Sequence, residues 1–308
     1  MRGFPYITTL RKGKPERDSA SHFRAHRQLS VVRRRIASDL TGGSLALVGV
    51  DPVELFSIRG KTAVVTGGSR GIGKMIATGL VAAGARVYIC ARKAAACDAT
   101  AAELSKLGEC ISIPADLSTE AGATEFVRHV SELEPKLHIL VNNAGAAWGA
   151  PLEEYPDSAF DKVLSVNVKG IFHLTRLFLP LLRAAASEAD PARVINIGSV
   201  DGLKVPRTEN YAYSASKAAV HMLTRHLAFA LVGDRVNVNA IAPGLFPSRM
   251  TAYVFESEDA AEVVDHIPMK RAGTPEDIAG TAIYLSSRAS AYLTGVVLPV
   301  SGGIATID

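Results

Sequence analysis

From about Leu55 onward, short apolar runs rich in β-branched residues alternate with longer stretches of helical spacing, and this alternation restricts the possible folds more than any other feature. The runs KTAVVTG, RVYICA, CISIPA, LHILVNN, RVINIGS, RVNVNAIAP and GVVLPV are each apolar throughout. A strand with one face in water would alternate apolar and polar side chains; continuous apolarity suits strands covered by helices on both faces, as in a parallel sheet. Helices are predicted to begin near Gly71, Lys93, Ser118, Ser158, Tyr211, Ser248 and Pro275. The expected architecture is α/β: a doubly wound parallel sheet of about seven strands with helices on both faces. No internal repeat or Pro/Ser linker divides residues 55–308, so one domain is expected there.

Composition agrees with a large packed core, since 48% of the 308 residues are hydrophobic and 21% charged. No apolar run approaches the ~18 residues that would suggest a bilayer span, and the N-terminus lacks the apolar stretch of a secretory signal. A cytoplasmic location without membrane association is the expectation. Cys90, Cys97 and Cys110 show no CxxC or Cys/His ligand spacing, which argues against a disulfide framework and a metal site. The net charge of +4 is unevenly placed: residues 1–50 hold ten basic and three acidic side chains, leaving residues 51–308 at net −3. Nucleic-acid binding by the body therefore has no compositional support. RKGKPER and VVRRRIASDL mark residues 1–50 as a basic extension without sustained periodicity. The expectation is a poorly ordered tail ahead of a domain at 51–308, with a targeting or contact arm as the alternatives.

The segment TGGSRGIG, Thr66 to Gly73, follows the first strand and opens a helix in which Ile72, Met75, Ile76, Leu80 and Val81 recur at helical spacing. Gly67 suits a tight turn, Gly71 a close approach of backbone to a pyrophosphate, and Gly73 close helix packing, while the helix start offers N–H groups to phosphate. This is the local logic of a Rossmann-type dinucleotide site. After the second strand, VYICARK supplies Arg92 and Lys93 where a free ribose 2′-hydroxyl would require an acid. These cations favour a 2′-phosphate and hence NADP(H).

The spacing TGxxxGxG, NNAG at 142–145, Asn167 in SVNVKG, Ser199 in NIGSVDG, the YxxxK of Tyr213 and Lys217, and PG at 243–244 occur in one order between Gly60 and Gly303. Together they resemble the short-chain dehydrogenases/reductases. The resemblance implies a catalytic set of Asn167, Ser199, Tyr213 and Lys217. It also implies a cofactor site of Gly67, Ser69, Arg70, Gly71, Ile72, Gly73, Arg92, Asp116, Leu117, Asn143, Ala144, Gly145, Tyr213, Lys217, Phe246 and Ser248. Within that set Asp116 receives the adenine amino group, although as an acid ahead of a helix it also suits the helix dipole. A distortion in the Asn167 helix is expected to support a proton relay. Ser248 stands where the family usually has threonine, and residues 245–272 occupy the place of a substrate lid. Homo-oligomers, tetrameric or dimeric, are a further implication.

Tyr213 and Lys217 are four residues apart, about one helical turn, so phenol and ammonium are predicted to share a face. An ordinary tyrosine is protonated at neutral pH, and a neighbouring ammonium favours its phenolate. Tyr213 is thus predicted to become acidic enough to exchange a proton with a substrate oxygen that Ser199 also binds. Tyr211 has alanine four residues on and is assigned to packing or the pocket wall.

PARVINIGSVDG, YAYSASKAA, NVNAIAPGLFPSRM and IPMKRAGTPEDIAG resemble bacterial β-ketoacyl reductases, especially the rhamnolipid-synthesis branch. This implies NADPH-dependent reduction of a 3-oxoacyl thioester, on acyl carrier protein or coenzyme A. Asp201 departs from the small apolar residue of that likeness, where it would meet an anionic carrier or a polyol. A reductase or dehydrogenase of sugars, steroids or other small alcohols therefore remains open. So does a non-catalytic NADP(H)-binding regulator, prompted by the basic extension.

Overall fold

The computed structural model describes residues 49–307. The extension expected at 1–50 falls, except for its last two residues, outside the described residues. The compact unit begins at Pro52.

Its sheet contains β1 (Thr62–Thr66), β2 (Arg86–Cys90), β3 (Cys110–Ser112), β4 (Ile139–Asn142), β5 (Ala192–Ile197), β6 (Val236–Pro243) and β7 (Val297–Val300). All seven pair in parallel, in the spatial order β3-β2-β1-β4-β5-β6-β7. Every residue of β1, β4, β5 and β6 is buried, which explains why their sequences show no period of two. A short helix, α1 (Pro52–Phe56), precedes the sheet.

One face of the sheet is covered by α2 (Gly71–Ala82), α3 (Ala94–Leu104) and, after several later elements, a helix at Pro275–Ser286. α2 buries Gly73, Ile76, Ala77, Leu80 and Val81, one stripe of a 3.6-residue period. It crosses the Pro275–Ser286 helix closely: a Cβ on Gly79 would lie 2.6 Å from the Ala279 methyl. The other face carries α4 (Glu120–Leu133), α5 (Asp157–Leu164), α6 (Gly170–Ala185) and α7 (Tyr211–Leu231). There Phe126 of α4 meets Phe178 of α6 edge to face, with ring centroids 5.9 Å apart.

One local prediction is matched and another differs. The distortion expected in the Asn167 helix is a π turn at Ser165–Lys169, between α5 and α6. The helix expected near Ser248 is two short pieces, α8 (Ala252–Phe255) and α9 (Ala260–Asp265), neither with a buried residue. Their sequence offers no apolar stripe long enough to hold a full helix against the core. The Pro275–Ser286 helix, α10, starts where expected, with Pro275 in the first turn and a Thr274/Asp277 capping box.

Strand order reverses between β1 and β4, so the connections leaving these neighbours run to opposite faces and open a crevice at their carboxyl ends. Among the described residues no helix is long and apolar enough to cross a membrane.

Candidate active site

A cleft of about 1100 Å³ lies at this reversal, walled by the loops after β1, β2, β4, β5 and β6 and by the start of α7. Every residue assigned to the cofactor site from sequence lines it: Gly67, Ser69, Arg70, Gly71, Ile72, Gly73, Arg92, Asp116, Leu117, Asn143, Ala144, Gly145, Tyr213, Lys217, Phe246 and Ser248.

The glycine turn is fixed by its neighbour. Gly67 and Gly71 have φ of +65° and +53°, conformations that strain a residue with a side chain. A Cβ on Gly73 would sit 2.3 Å from Asn143 Nδ2 and 2.4 Å from the Gly67 carbonyl oxygen. Asn143 Nδ2 donates to Thr66 O at 2.8 Å, and the backbone N–H groups of Asn143 and Ala144 donate to the Thr66 hydroxyl at 2.9 and 3.0 Å. The turn after β1 and the loop after β4 are thus one hydrogen-bonded unit. No side chain caps the start of α2, which leaves its first-turn N–H groups open to an anion.

Cations collect beside this turn. Arg70, Arg92 and Lys93 line the cleft, and the residues it takes from the end of β2 include no carboxylate. Asp116 accepts from Ser118 N–H at 3.0 Å, and the Ser118 bonds, aided by the Arg92 charge, hold its carboxyl below the usual range. Helix α4 is capped instead by Thr119, whose side chain accepts from Gly122 N–H at 3.1 Å, so Asp116 is left facing the cleft. A backbone cradle, a helix start and grouped cations fit a dinucleotide with an additional phosphate.

Tyr213, Lys217 and Ser199 meet at the inner end of the same cleft. Lys217 Nζ donates to Ile197 O at 2.7 Å and lies 5.4 Å from the centre of the Tyr213 ring. The electrostatics depart from the expectation that the ammonium draws the phenol down. Burial pushes Tyr213 up to about 12, against the Ser199 hydrogen bond, and the Asp201 charge adds to the rise. Burial likewise pushes Lys217 down to about 8, with Asp201 opposing. Desolvation disfavours both charged forms, and here it outweighs the Ser199 bond at Tyr213 and the Asp201 charge at Lys217.

Asn167 does not line the cleft. It is buried behind it in the π turn, where Nδ2 donates to Ala146 O and Ser216 Oγ, each at 2.9 Å, while Oδ1 accepts from Ala146 N–H at 2.8 Å. It therefore ties the loop after β4 to α7, one turn from Tyr213. Ser248 bonds the Thr251 hydroxyl at 3.0 Å, and Phe246 is packed beneath Gly273.

Asp201, expected to meet substrate, is absent from the cleft lining and accepts instead from Asn210 Nδ2 at 2.8 Å. Tyr211 packs edge-on against Tyr155, 5.6 Å between centroids. His221, one turn beyond Lys217, is buried under Gly198 and Gly202 with neither ring nitrogen partnered. Among the described residues no group of three His, Cys, Asp or Glu is placed to hold a metal. Lys162 and Trp148 line the cleft although the sequence singled out neither, and Arg249, Met250 and Thr251 line it from the segment expected to be a lid. Lys162 and Trp148 belong to no local motif, and only the fold brings them there.

Residues 61–259 match the family model of the short chain dehydrogenases. The chain belongs to the short-chain dehydrogenase family. This family member is 55% identical over 249 residues to the rhamnolipids biosynthesis 3-oxoacyl-[acyl-carrier-protein] reductase of Pseudomonas aeruginosa, covering 80% of this chain and 97% of that protein. It is 39% identical over 251 residues to galactitol 2-dehydrogenase (L-tagatose-forming) of Cereibacter sphaeroides, covering 81% and 96%. The solved Pseudomonas aeruginosa RhlG/NADP active-site complex matches its fold with a TM-score of 0.80 at 54% identity, over 82% of this chain and 99% of that one.

Proposed function

We propose that the protein is an NADPH-dependent carbonyl reductase that converts a 3-oxoacyl thioester, on acyl carrier protein or coenzyme A, to the 3-hydroxyacyl product. One observation carries the reading: a phenol, an amine and a serine hydroxyl share a cleft whose far end gathers arginines and lysine, in a chain 55% identical to a 3-oxoacyl reductase. The glycine turn and α2 hold the pyrophosphate of NADP(H), Arg70 and Arg92 the 2′-phosphate, and Asp116 the adenine. When bound, NADPH supplies a hydride to the carbonyl carbon.

The protein's own residues complete the reduction. Tyr213 gives its proton to the carbonyl oxygen as negative charge grows there, and Ser199 hydrogen-bonds the same oxygen. With its phenol raised to about 12, Tyr213 starts in the protonated form that reduction requires, although the same rise makes it a weaker acid. In the opposite direction the phenolate needs positive charge in the cleft beyond what Lys217 gives. Asn167 keeps the π turn and the Ala146 loop in place behind Lys217. Residues 245–272, with their two unburied helices, close as a lid and exclude water. Trp148 and Met250 add apolar surface to the lining, which suits an acyl chain better than a polyol.

The enzyme acts in the cytoplasm as a homo-oligomer, tetramer or dimer. Its three free buried cysteines fit a reducing compartment. The test is NADPH consumption with 3-oxoacyl thioesters beside a panel of sugars, polyols and steroid ketones, repeated with NADH. Preference for thioesters and NADPH is expected; faster turnover of a polyol or sugar would transfer the reading to the alcohol dehydrogenases of the family.

A further inference from the structure

Two residues off the cleft join the segments that carry the reactive groups. Asp201 lies in the single turn Val200–Gly202, which follows Ser199, and its backbone N–H donates to Ser199 Oγ at 3.1 Å. Its carboxylate accepts from Asn210 Nδ2 at 2.8 Å. Asn210 immediately precedes α7, and its own carbonyl accepts from Ser214 N–H at 3.0 Å within the first helical turn. Tyr213 is three residues further along that helix and Lys217 seven.

We propose that Asp201 and Asn210 form a positioning pair that fastens the Ser199 turn to the amino end of α7, with the Asp201 carboxylate serving also as counter-charge to the Lys217 ammonium. The pair acts through Ser199, Tyr213 and Lys217 without touching substrate. The inference rests on the roles proposed for those three residues, and it is independent of the acyl thioester.

The packing beneath the pair leaves little room for another arrangement. A Cβ on Gly202 would lie 2.6 Å from the Lys217 carbonyl carbon and 2.8 Å from His221 Cε1; one on Gly198 would lie 2.2 Å from His221 Nε2. The turn therefore rests directly on the helix, and the Asp201–Asn210 hydrogen bond fastens it to the helix start.

The carboxylate is half-buried, a costly place for an unpaired charge. Burial raises the Asp201 carboxyl, while Asn210 and the Lys217 charge pull it back. The ionisable groups facing Asp201 and Lys217 from α7 are Tyr213 and His221. Burial pushes His221 down, with the Lys217 charge adding to that effect, and the π turn contributes the uncharged Asn167. Asp201 is thus the carboxylate that acts on Lys217 among the described residues. Two carbons shorter than Lys217 and fixed by Asn210, it favours the ammonium without leaving the turn.

Two substitutions separate the roles. Asp201→Asn keeps an oxygen that accepts from Asn210 and removes the charge; Asn210→Ala keeps the charge and removes the tether. In nucleotide-free protein labelled with ¹³C-lysine, the Lys217 ε-carbon, assigned by its loss in Lys217→Met, is titrated by NMR. The expected midpoint near 8 in the parent protein falls by about one pH unit in Asp201→Asn and stays in place in Asn210→Ala. With any carbonyl compound the parent protein reduces, Asn210→Ala is expected to lower kcat about tenfold with KM for NADPH unchanged. A Lys217 midpoint unaltered by Asp201→Asn overturns the charge role, and an Asn210→Ala enzyme with parental kcat overturns the tether. If thioesters prove not to be substrates while the Lys217 midpoint still shifts, the proposed function fails and this inference stands.

Discussion

The two ends of β5 bury charge in opposite ways. At the amino end, Lys61 Nζ meets Asp190 Oδ2 at 2.7 Å and donates to Ser286 O at 3.0 Å. Arg193, almost wholly buried, meets the other Asp190 oxygen at 3.2 Å, donates to Ser287 O at 2.8 Å and also bonds Pro191 O. One carboxylate bridges two cations, with backbone carbonyls around them, in a directly paired clasp. At the carboxyl end, Lys217 has a carbonyl, the face of a phenol and the more distant Asp201. Burial lowers all three cations, but only at the clasp does a carboxylate contact them directly. The cations of the clasp touch a fixed counter-charge, whereas the cation proposed to act on incoming groups does not.

The contrast is most severely tested by substitutions at each end. Tyr213→Phe removes the proposed proton donor and is expected to reduce kcat by ~10²–10⁴-fold, with little change in the urea midpoint. Parental turnover in that variant would remove the chemical role from the carboxyl end. Asp190→Ala leaves Lys61 and Arg193 facing each other without their carboxylate. Urea unfolding should show a loss of about 3–5 kcal/mol, while kcat of the folded fraction is retained. A loss of activity without loss of stability would mean that the clasp serves the cleft.

Lys217→Met should do the reverse: abolish turnover and raise stability. The unfolded chain protonates this lysine with the ordinary value of 10.5, whereas the folded protein holds it near 8. Below about 8 the folded state bears the full penalty of a buried ammonium, and the penalty disappears as pH rises toward 10.5. The variant should therefore be more stable at pH 7 by up to about 3 kcal/mol, partly offset by the unpaired Ile197 carbonyl, with the gain shrinking above pH 8. Thermal unfolding at pH 7 and 10 measures it, and a variant less stable at pH 7 would place Lys217 with the structural cations. The smallest effect is expected at the nucleotide end: Arg92→Ala should raise KM for NADPH about tenfold and leave KM for NADH nearly unchanged, since only the former has a 2′-phosphate. An equal rise for both would assign Arg92 to general binding.

The sequence made some of these features legible for local reasons. The glycine turn could be located because positive φ and close approach demand glycine, and Tyr213 and Lys217 because four residues fix a shared helical face. The π turn could not be placed from its own residues. SVNVK has the spacing of a continuing helix, and the break coincides with bonds from Asn167 to Ala146 and Ser216, each far away in sequence. Asp201 was assigned to substrate because nothing nearby in sequence announces Asn210 as its partner; that bond closes only when the turn lies on α7.

By itself the sequence determined the parallel α/β order, the glycine turn and the chemical types at the site, because these follow from periodicity, backbone freedom and the inventory of side chains. The direction of the Tyr213 and Lys217 shifts and the pairing of Lys61 and Arg193 with Asp190 were decided by tertiary structure. Desolvation and charge pairing depend on what surrounds a group in three dimensions, and residues four apart carry no record of how much water the fold will leave them.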